Sequence, residues 1–160
     1  MPGRLSVTSP IRFTCENVLP DTPEDIAAHI LELSNWPDFT GYGPLPGIKQ
    51  AEFEIRTPEV VGTRIRATNC DGSSHVEEII VWDLPRRLQL RIQDFSAPVS
   101  RFASHFDEIW EFAPANNGTQ VTRTMELYAK SALTRPLLWL ISKFLKRAIA
   151  WHLRQLSGGG

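Results

Sequence analysis

The stretch LLWLISKFLKRAIAWHLRQL, residues 137–156, decides the fold because it joins a broad apolar face to regularly spaced charges. Its apolar residues recur at helical spacing, which is typical of an amphipathic helix. The opposite side of the helix is basic and carries Lys143, Lys146, Arg147 and Arg154. A membrane span needs about 20 mostly apolar residues, and the uncharged run ends at Ser142. The stretch therefore predicts a helix that packs on another layer, and it excludes a transmembrane segment.

A helical wheel places His152 near the centre of the apolar arc and Trp139 on the polar side. We expect the arc to face a sheet; it holds Leu133, Leu137, Leu140, Ile141, Phe144, Leu145, Ala148, Ile149, Trp151 and Leu156. A histidine in this position is either a buried structural residue or a polar group that faces a cavity. Trp139 is expected to be partly exposed. The alternative for the whole helix is to lie in the plane of a membrane surface, for which basic residues and tryptophan are typical.

Upstream of this helix the apolar period changes from about four residues to two, which indicates strands. The predicted strands are residues 11–18, 48–55, 62–69, 75–84, 87–95, 101–112 and 119–129. Short connections rich in Gly, Pro, Asn and Asp favour antiparallel neighbours, since a parallel crossover needs a dozen residues or more. Between the first two strands, Thr22 or Asp21 can cap a helix that begins with Pro23, and a second helical turn follows around Trp36. The order of elements predicts an α+β fold.

Composition narrows the classes of function. The chain has 160 residues and a formal net charge of −1, so no basic excess favours nucleic acid as a partner. We expect a single domain over residues 10–156, with flexible termini at 1–9 and 157–160. Cys15 and Cys70 form neither a CxxC pair nor a zinc-ligand spacing, and we expect no metal and no cofactor. No secretion signal is visible at the start, which together with two free thiols favours the cytoplasm.

Two charged residues fall on strand faces that are otherwise apolar. Glu108 lies between Phe106 and Trp110, and Arg123 lies between Val121 and Met125. When the two strands are paired with their apolar faces on one side, Glu108 lies opposite Arg123 or diagonal to it. Since an unpaired buried charge is costly, we expect an ion pair, either structural or exposed on the floor of a pocket. The other face of the same strand carries His105, Asp107 and Glu111, which we expect to be solvated.

Several segments resemble a known family. They are SNWPDF (34–39) after a helix that begins at TPEDI, VGTRIR (61–66), VWDLPRRLQLRI (81–92) and NGTQVTRTMEL (117–127), followed by the long terminal helix. Together they resemble the polyketide cyclase/dehydrase-like branch of the START-like, or SRPBCC, superfamily over residues 10–156. The resemblance implies a helix-grip fold, in which a seven-stranded antiparallel sheet curls around the C-terminal helix and leaves a deep cavity.

The resemblance also implies a scaffold for hydrophobic or amphipathic small molecules, of which only some members are enzymes. The expected ligand-binding residues are Leu90, Phe106, Glu108, Trp110, Phe112, Arg123, Met125, Ile141, Phe144, Ala148 and His152. The first alternative is a cyclase or dehydratase in which Arg123 polarises a carbonyl and Glu108 or His152 moves an α-proton. The second is a lipid or quinone carrier that resembles the ubiquinone-binding relatives and makes peripheral contact with a membrane through Trp139 and the basic face of the helix.

Overall fold

The computed structural model describes residues 9–158, which include a seven-stranded antiparallel sheet and one long helix. The order of strands across the sheet is β1-β9-β8-β7-β6-β5-β4, and β2 and β3 form a separate small hairpin. The strands are β1 (Ile11–Leu19), β2 (Gly41–Tyr42), β3 (Leu45–Pro46), β4 (Ile48–Ile55), β5 (Arg64–Asn69), β6 (Ser74–Asp83), β7 (Arg87–Gln93), β8 (Ala103–Ala115) and β9 (Gly118–Ala129). The helices are α1 (Pro23–Leu31) and α2 (Arg135–Leu156), with 3-10 turns at Leu33–Asp38 and Val99–Arg101. The predicted α+β helix-grip fold is confirmed. Residues 1–8 and 159–160 of the predicted flexible termini lie outside the described residues.

The segment between β1 and β4 carries the chain from one edge of the sheet to the other. Thr22 caps α1, because its hydroxyl oxygen accepts a hydrogen bond from the Asp25 amide at 3.1 Å. The Trp36 indole donates to the Ile30 carbonyl at 2.8 Å and ties the 3-10 turn back to α1. The Ile48 amide then donates to the Phe39 carbonyl at 2.9 Å, where β4 begins. These contacts hold α1 and the turn over one open end of the curled sheet.

The pairing of β8 with β9 determines how the two charged residues of the sheet's inner face, Glu108 and Arg123, lie relative to each other. Trp110 pairs with Arg123, and Glu108 pairs with Met125, so Glu108 and Arg123 are diagonal neighbours. On the outer face, Asp107 was expected to be solvated, and this expectation is wrong. Asp107 is buried and accepts a hydrogen bond from the Arg91 guanidinium at 2.9 Å. The side chain of Arg91, on the neighbouring strand β7, covers the carboxylate.

The buried face of α2 differs from the arc expected from the wheel. Its buried residues are Leu138, Ser142, Leu145, Ala148, Ile149 and Leu153. Four members of the predicted arc are exposed instead: Leu133, Leu137, Leu140 and Trp151. The helix packs mainly along the edge strand β1, so the row that begins with Leu138 faces the sheet. Ser142 tolerates burial in this row because its hydroxyl donates to the Trp139 carbonyl.

The buried face of α2 also differs from the predicted arc because there is a space between α2 and the middle of the sheet. On that side Ile141, Phe144 and His152 of the helix line a cavity. Trp139 is 52% exposed, which confirms its predicted position on the polar side. Within residues 9–158, no helix combines the length and the apolar character that a membrane crossing requires.

Candidate functional site

A cavity of about 710 Å³ lies between the sheet, α1, the 3-10 turn Leu33–Asp38 and α2. Most of the ligand-binding residues expected from the sequence line it; these are Leu90, Phe106, Glu108, Trp110, Arg123, Met125, Ile141, Phe144 and His152. Phe112 and Ala148 do not, which corrects the expectation for both. Phe112 lies farther along β8, where it packs against the hydrophobic core, and Ala148 is covered at the contact between α2 and the sheet. The cavity is large enough for a drug-sized molecule.

The floor of the cavity, which we define as Glu108, Trp110, Arg123 and His152, is built around one guanidinium group. Arg123 donates to a single oxygen of Glu108, Oε2, from both Nε, at 2.9 Å, and Nη2. Its guanidinium carbon also lies 4.2 Å from the centre of the Trp110 ring, a cation–π contact. Arg123 and Glu108 are 5% and 6% exposed. The pair is therefore neutral overall and nearly buried, and it gives the floor strong dipoles without a net charge.

His152 extends this arrangement from α2. Its Nδ1 lies 2.9 Å from Arg123 Nη1. Because a guanidinium can only donate, Nδ1 accepts and the ring proton must sit on Nε2. Phe39 packs edge-on against the ring, with the centroids 5.8 Å apart. No described residue bonds to Nε2, so His152 presents an N–H donor to the cavity.

The same contacts keep the imidazole uncharged. Burial lowers the pKa of His152 from its ordinary 6.5 to about 3, and the nearby Arg123 cation acts in the same direction. A neutral ring whose lone pair is already engaged by Arg123 is a poor base. At His152, the floor is therefore better arranged to hold an oxygen acceptor than to remove a proton.

This pKa makes stability depend on pH. In the unfolded chain His152 takes up a proton as the pH falls below 6.5, whereas in the folded protein it does so only near pH 3. The free energy of unfolding should therefore decrease across this window. His152→Gln keeps an acceptor for Arg123 but does not titrate, so it should lose less stability, by on the order of a few kcal/mol at the acid end. Urea denaturation of both proteins between pH 6.5 and 3 measures the difference, and parallel curves would contradict the proposed environment of His152.

Around the mouth, the cavity wall carries four exposed carboxylates, which we call the acidic rim: Asp21, Asp25, Asp38 and Asp71. Hydrogen bonds from the hydroxyl and amide of Ser73 lower the pKa of Asp71 and keep it ionised. Of the described residues that line the cavity, Arg123 is the sole lysine or arginine, and Glu108 already neutralises it. The sequence did not reveal the rim, because its members come from three separate segments, the start of α1, the 3-10 turn Leu33–Asp38 and the turn between β5 and β6, that only the fold brings together.

Sequence reasoning also missed a second polar group in the cavity wall. His75 Nε2 lies 2.9 Å from Glu77 Oε2, and both residues line the cavity from β6. Their spacing of two places them on one face of a strand. That was the available signal, but the alternation of β6 is weak because Val76 between them is buried as well.

Outside the cavity, a basic groove lies between the start of β1 and α2. We define it by Arg12, Arg135, Lys143 and Lys146, which surround the exposed ring of Trp139. The Lys143 ammonium lies 4.6 Å from the centre of that ring. The groove thus combines positive charge with an exposed aromatic surface.

Known proteins share both sequence pattern and fold with this chain. The family model for polyketide cyclase/dehydrase and lipid transport matches residues 10–157. A START superfamily protein from Mycobacterium smegmatis superposes with a TM-score of 0.68 at 11% identity, covering 94% of this chain and 98% of its own. A protein from Thermus thermophilus also has a TM-score of 0.68, at 18% identity, with 92% and 95% of the two chains covered.

A plant protein has the same fold at greater distance. Ginseng major latex-like protein 151 from Panax ginseng gives a TM-score of 0.56 at 15% identity, covering 90% of this chain and 97% of its own. A comparison with curated proteins found no match. The helix-grip architecture, the cavity and the family match over nearly the whole length agree, and the chain belongs to the polyketide cyclase/dehydrase and lipid transport family of START-like proteins.

Proposed function

We propose that the protein is a cytoplasmic binding protein that holds a neutral hydrophobic or amphipathic small molecule in the cavity between its sheet and α2. The observation that carries this proposal is a cavity of about 710 Å³ with mostly apolar walls and a charge-neutral floor. Its superfamily typically binds hydrophobic ligands, which supports the same conclusion. Cys15 and Cys70 are free thiols, in keeping with a reducing compartment.

The acidic rim supports a preference for uncharged ligands over anions. An anion that enters must pass four exposed carboxylates and then reach an arginine whose charge Glu108 has already neutralised. A carbonyl oxygen instead finds the Nε2 proton of His152 in the floor. An ester or ketone should therefore bind in preference to a carboxylate.

Displacement of the neutral dye N-phenyl-1-naphthylamine tests this preference. Methyl dodecanoate should displace the dye at a concentration about tenfold or more lower than dodecanoate does. The reason is that dodecanoate, unlike the ester, must carry a negative charge past the rim and into the cavity. Added salt should partly reduce this difference between the two displacing concentrations, because it screens the charges of the acidic rim. Tighter binding of dodecanoate would overturn the preference.

A matched pair of variants shows whether the dye occupies the cavity. Ile141→Arg places a guanidinium in the cavity wall and should abolish most dye binding. Leu140→Arg changes the neighbouring, exposed residue of the same helix and should leave binding intact. Equal affinities would place the dye elsewhere.

The enzyme alternative uses the same residues, but their bonds favour binding. Glu108 accepts two hydrogen bonds from Arg123, and the lone pair of His152 accepts a third. The lone pair of His152 is therefore not free to take a proton from a ligand unless the floor rearranges, whereas Glu108 keeps its Oε1 outside the contact with Arg123. The roles of Arg123, Glu108 and His152 in the proposed function are those of a polar anchor.

The basic groove favours a second candidate, a lipid carrier that touches an anionic membrane. Trp139 supplies an exposed apolar ring among the four cations of the groove. Vesicles that contain phosphatidylglycerol should therefore sediment the protein, whereas pure phosphatidylcholine vesicles should not. Trp139→Ser should weaken this binding several-fold, and Trp151→Ser, at the far end of α2, should not. Sedimentation that is equal with both kinds of vesicle would contradict the role of the groove.

A further inference from the structure

The β6 pair, His75 and Glu77, is a nearly buried polar group in the cavity wall that takes no part in the floor. The His75 side chain is 12% exposed and that of Glu77 is 10% exposed. The Phe95 ring packs against both His75 and Phe106, with centroids 6.2 Å and 4.8 Å away. An aromatic surface therefore separates the β6 pair from the floor.

The register of the sheet gives the separation of the two polar regions. Glu77 pairs with Ile92 of β7, Ile92 pairs with Phe106 of β8, and Glu108 lies two residues farther along β8. Strand spacings of about 4.8 Å and rises of about 3.4 Å per residue put the Glu77 and Glu108 backbones about 12 Å apart in the sheet. A ligand that reaches both regions must be elongated.

The two regions have opposite hydrogen-bonding needs. The Glu77 carboxylate can accept about four hydrogen bonds, yet His75 is its one donor among the residues described, and no lysine or arginine there pairs with it. The carboxylate accepts a hydrogen bond from Nε2–H of the neutral His75 ring, which leaves a lone pair on Nδ1. The β6 pair thus offers acceptors, whereas the floor offers N–H donors at His152 and at Trp110, whose indole nitrogen has no partner among the described residues, beside the second oxygen of Glu108.

A buried carboxylate with so few donors is costly unless a further donor reaches it. Glu108 shows the contrast, because two N–H groups of Arg123 satisfy one of its oxygens. Glu77 lines the cavity with room for further donors, and a ligand hydroxyl group inside the cavity can supply one.

We propose that the β6 pair is a second ligand subsite, which binds a hydroxyl group at one end of an elongated molecule whose carbonyl group, at the other end, binds His152. This inference rests on the proposed function and narrows the ligand to a neutral keto-alcohol with an apolar body. The hydroxyl donates to Glu77, and the N–H of His152 donates to the carbonyl oxygen.

Two rigid probes that differ by one hydroxyl group test the subsite. Testosterone has a ketone at one end and a hydroxyl at the other, and androst-4-en-3-one lacks only that hydroxyl. In displacement of N-phenyl-1-naphthylamine, testosterone should bind about tenfold or more tightly than the deoxy steroid, because it alone supplies the donor. Glu77→Leu should remove most of this ratio while leaving the affinity for the deoxy steroid nearly unchanged. Glu78→Gln, on the outer face of the same strand, should leave the ratio unchanged.

The possible outcomes separate this inference from the proposed function. Equal affinities of the two steroids for the unaltered protein would overturn the subsite, whether or not Glu77→Leu folds. Dye binding without displacement by either steroid would also overturn it, and would leave the cavity as a binding site. A failure of the dye itself to bind would overturn the proposed function and the subsite with it.

Discussion

Arg123→Met is expected to lower the free energy of unfolding by about 3–5 kcal/mol. The substitution removes the guanidinium that neutralises Glu108, whose carboxylate is 6% exposed and has no other cation beside it among the described residues. It also removes the donor to His152 Nδ1 and the cation above the Trp110 ring. Chemical denaturation at neutral pH measures the loss.

Two companion variants identify the cause. Arg86→Met breaks the exposed ion pair with Asp83 and should cost at most about 1 kcal/mol, since solvent screens both groups. Glu108→Met combined with Arg123→Met removes both buried charges and should recover much of the stability. A double variant no more stable than Arg123→Met alone would show that the loss is one of packing rather than of charge.

Gly118→Ala is expected to destabilise the protein by roughly 3 kcal/mol or more, through overpacking and backbone strain together. Gly118 opens β9 with φ of +151°, and a Cβ atom there would lie 1.9 Å from the Leu19 carbonyl oxygen. The adjacent Thr119 hydroxyl donates to the Asp21 carbonyl at 2.6 Å. The hairpin tip therefore fixes the chain between β1 and α1, and with it the mouth of the cavity.

Gly72→Ala is the matched control for this prediction. Gly72 also has a positive φ, +88°, but a Cβ there would meet no atom within 4 Å. Its substitution should cost about 1 kcal/mol, from backbone strain alone. Similar denaturation midpoints for the two variants would mean that β1 moves aside at little cost, which contradicts the argument from close approach.

The strands could be predicted from the sequence because apolar and polar residues alternate along a strand whose inner face is buried. The same reasoning placed Glu108 beside Arg123, since an apolar inner face on both β8 and β9 leaves few registers. A cap at Thr22 or Asp21 was predictable for a local reason: the four residues from Thr22 to Asp25 contain both the hydroxyl and the amide that it binds.

The orientation of α2 could not be predicted in this way. A wheel ranks side chains by polarity, but the contact of the helix with an edge strand and the cavity beside it are properties of the whole fold. Leu138 and Ser142 became buried because they face β1, and Leu140 became exposed because it does not. The acidic rim and the β6 pair were hidden for a related reason, since polarity alone does not say whether a carboxylate faces water or the inside of a cavity.

The long helix also has a mechanical consequence. Trp139 and His152 lie on the same unbroken helix, about 20 Å apart along its axis. Because its backbone hydrogen bonds are continuous, the helix is stiff along its axis. A displacement of α2 at the basic groove would therefore also displace the His152 ring, which is hydrogen-bonded to Arg123 in the floor. The proposed membrane contact and the proposed ligand anchor therefore lie on one continuous helix, so a shift of α2 along its axis at one of them would move the other.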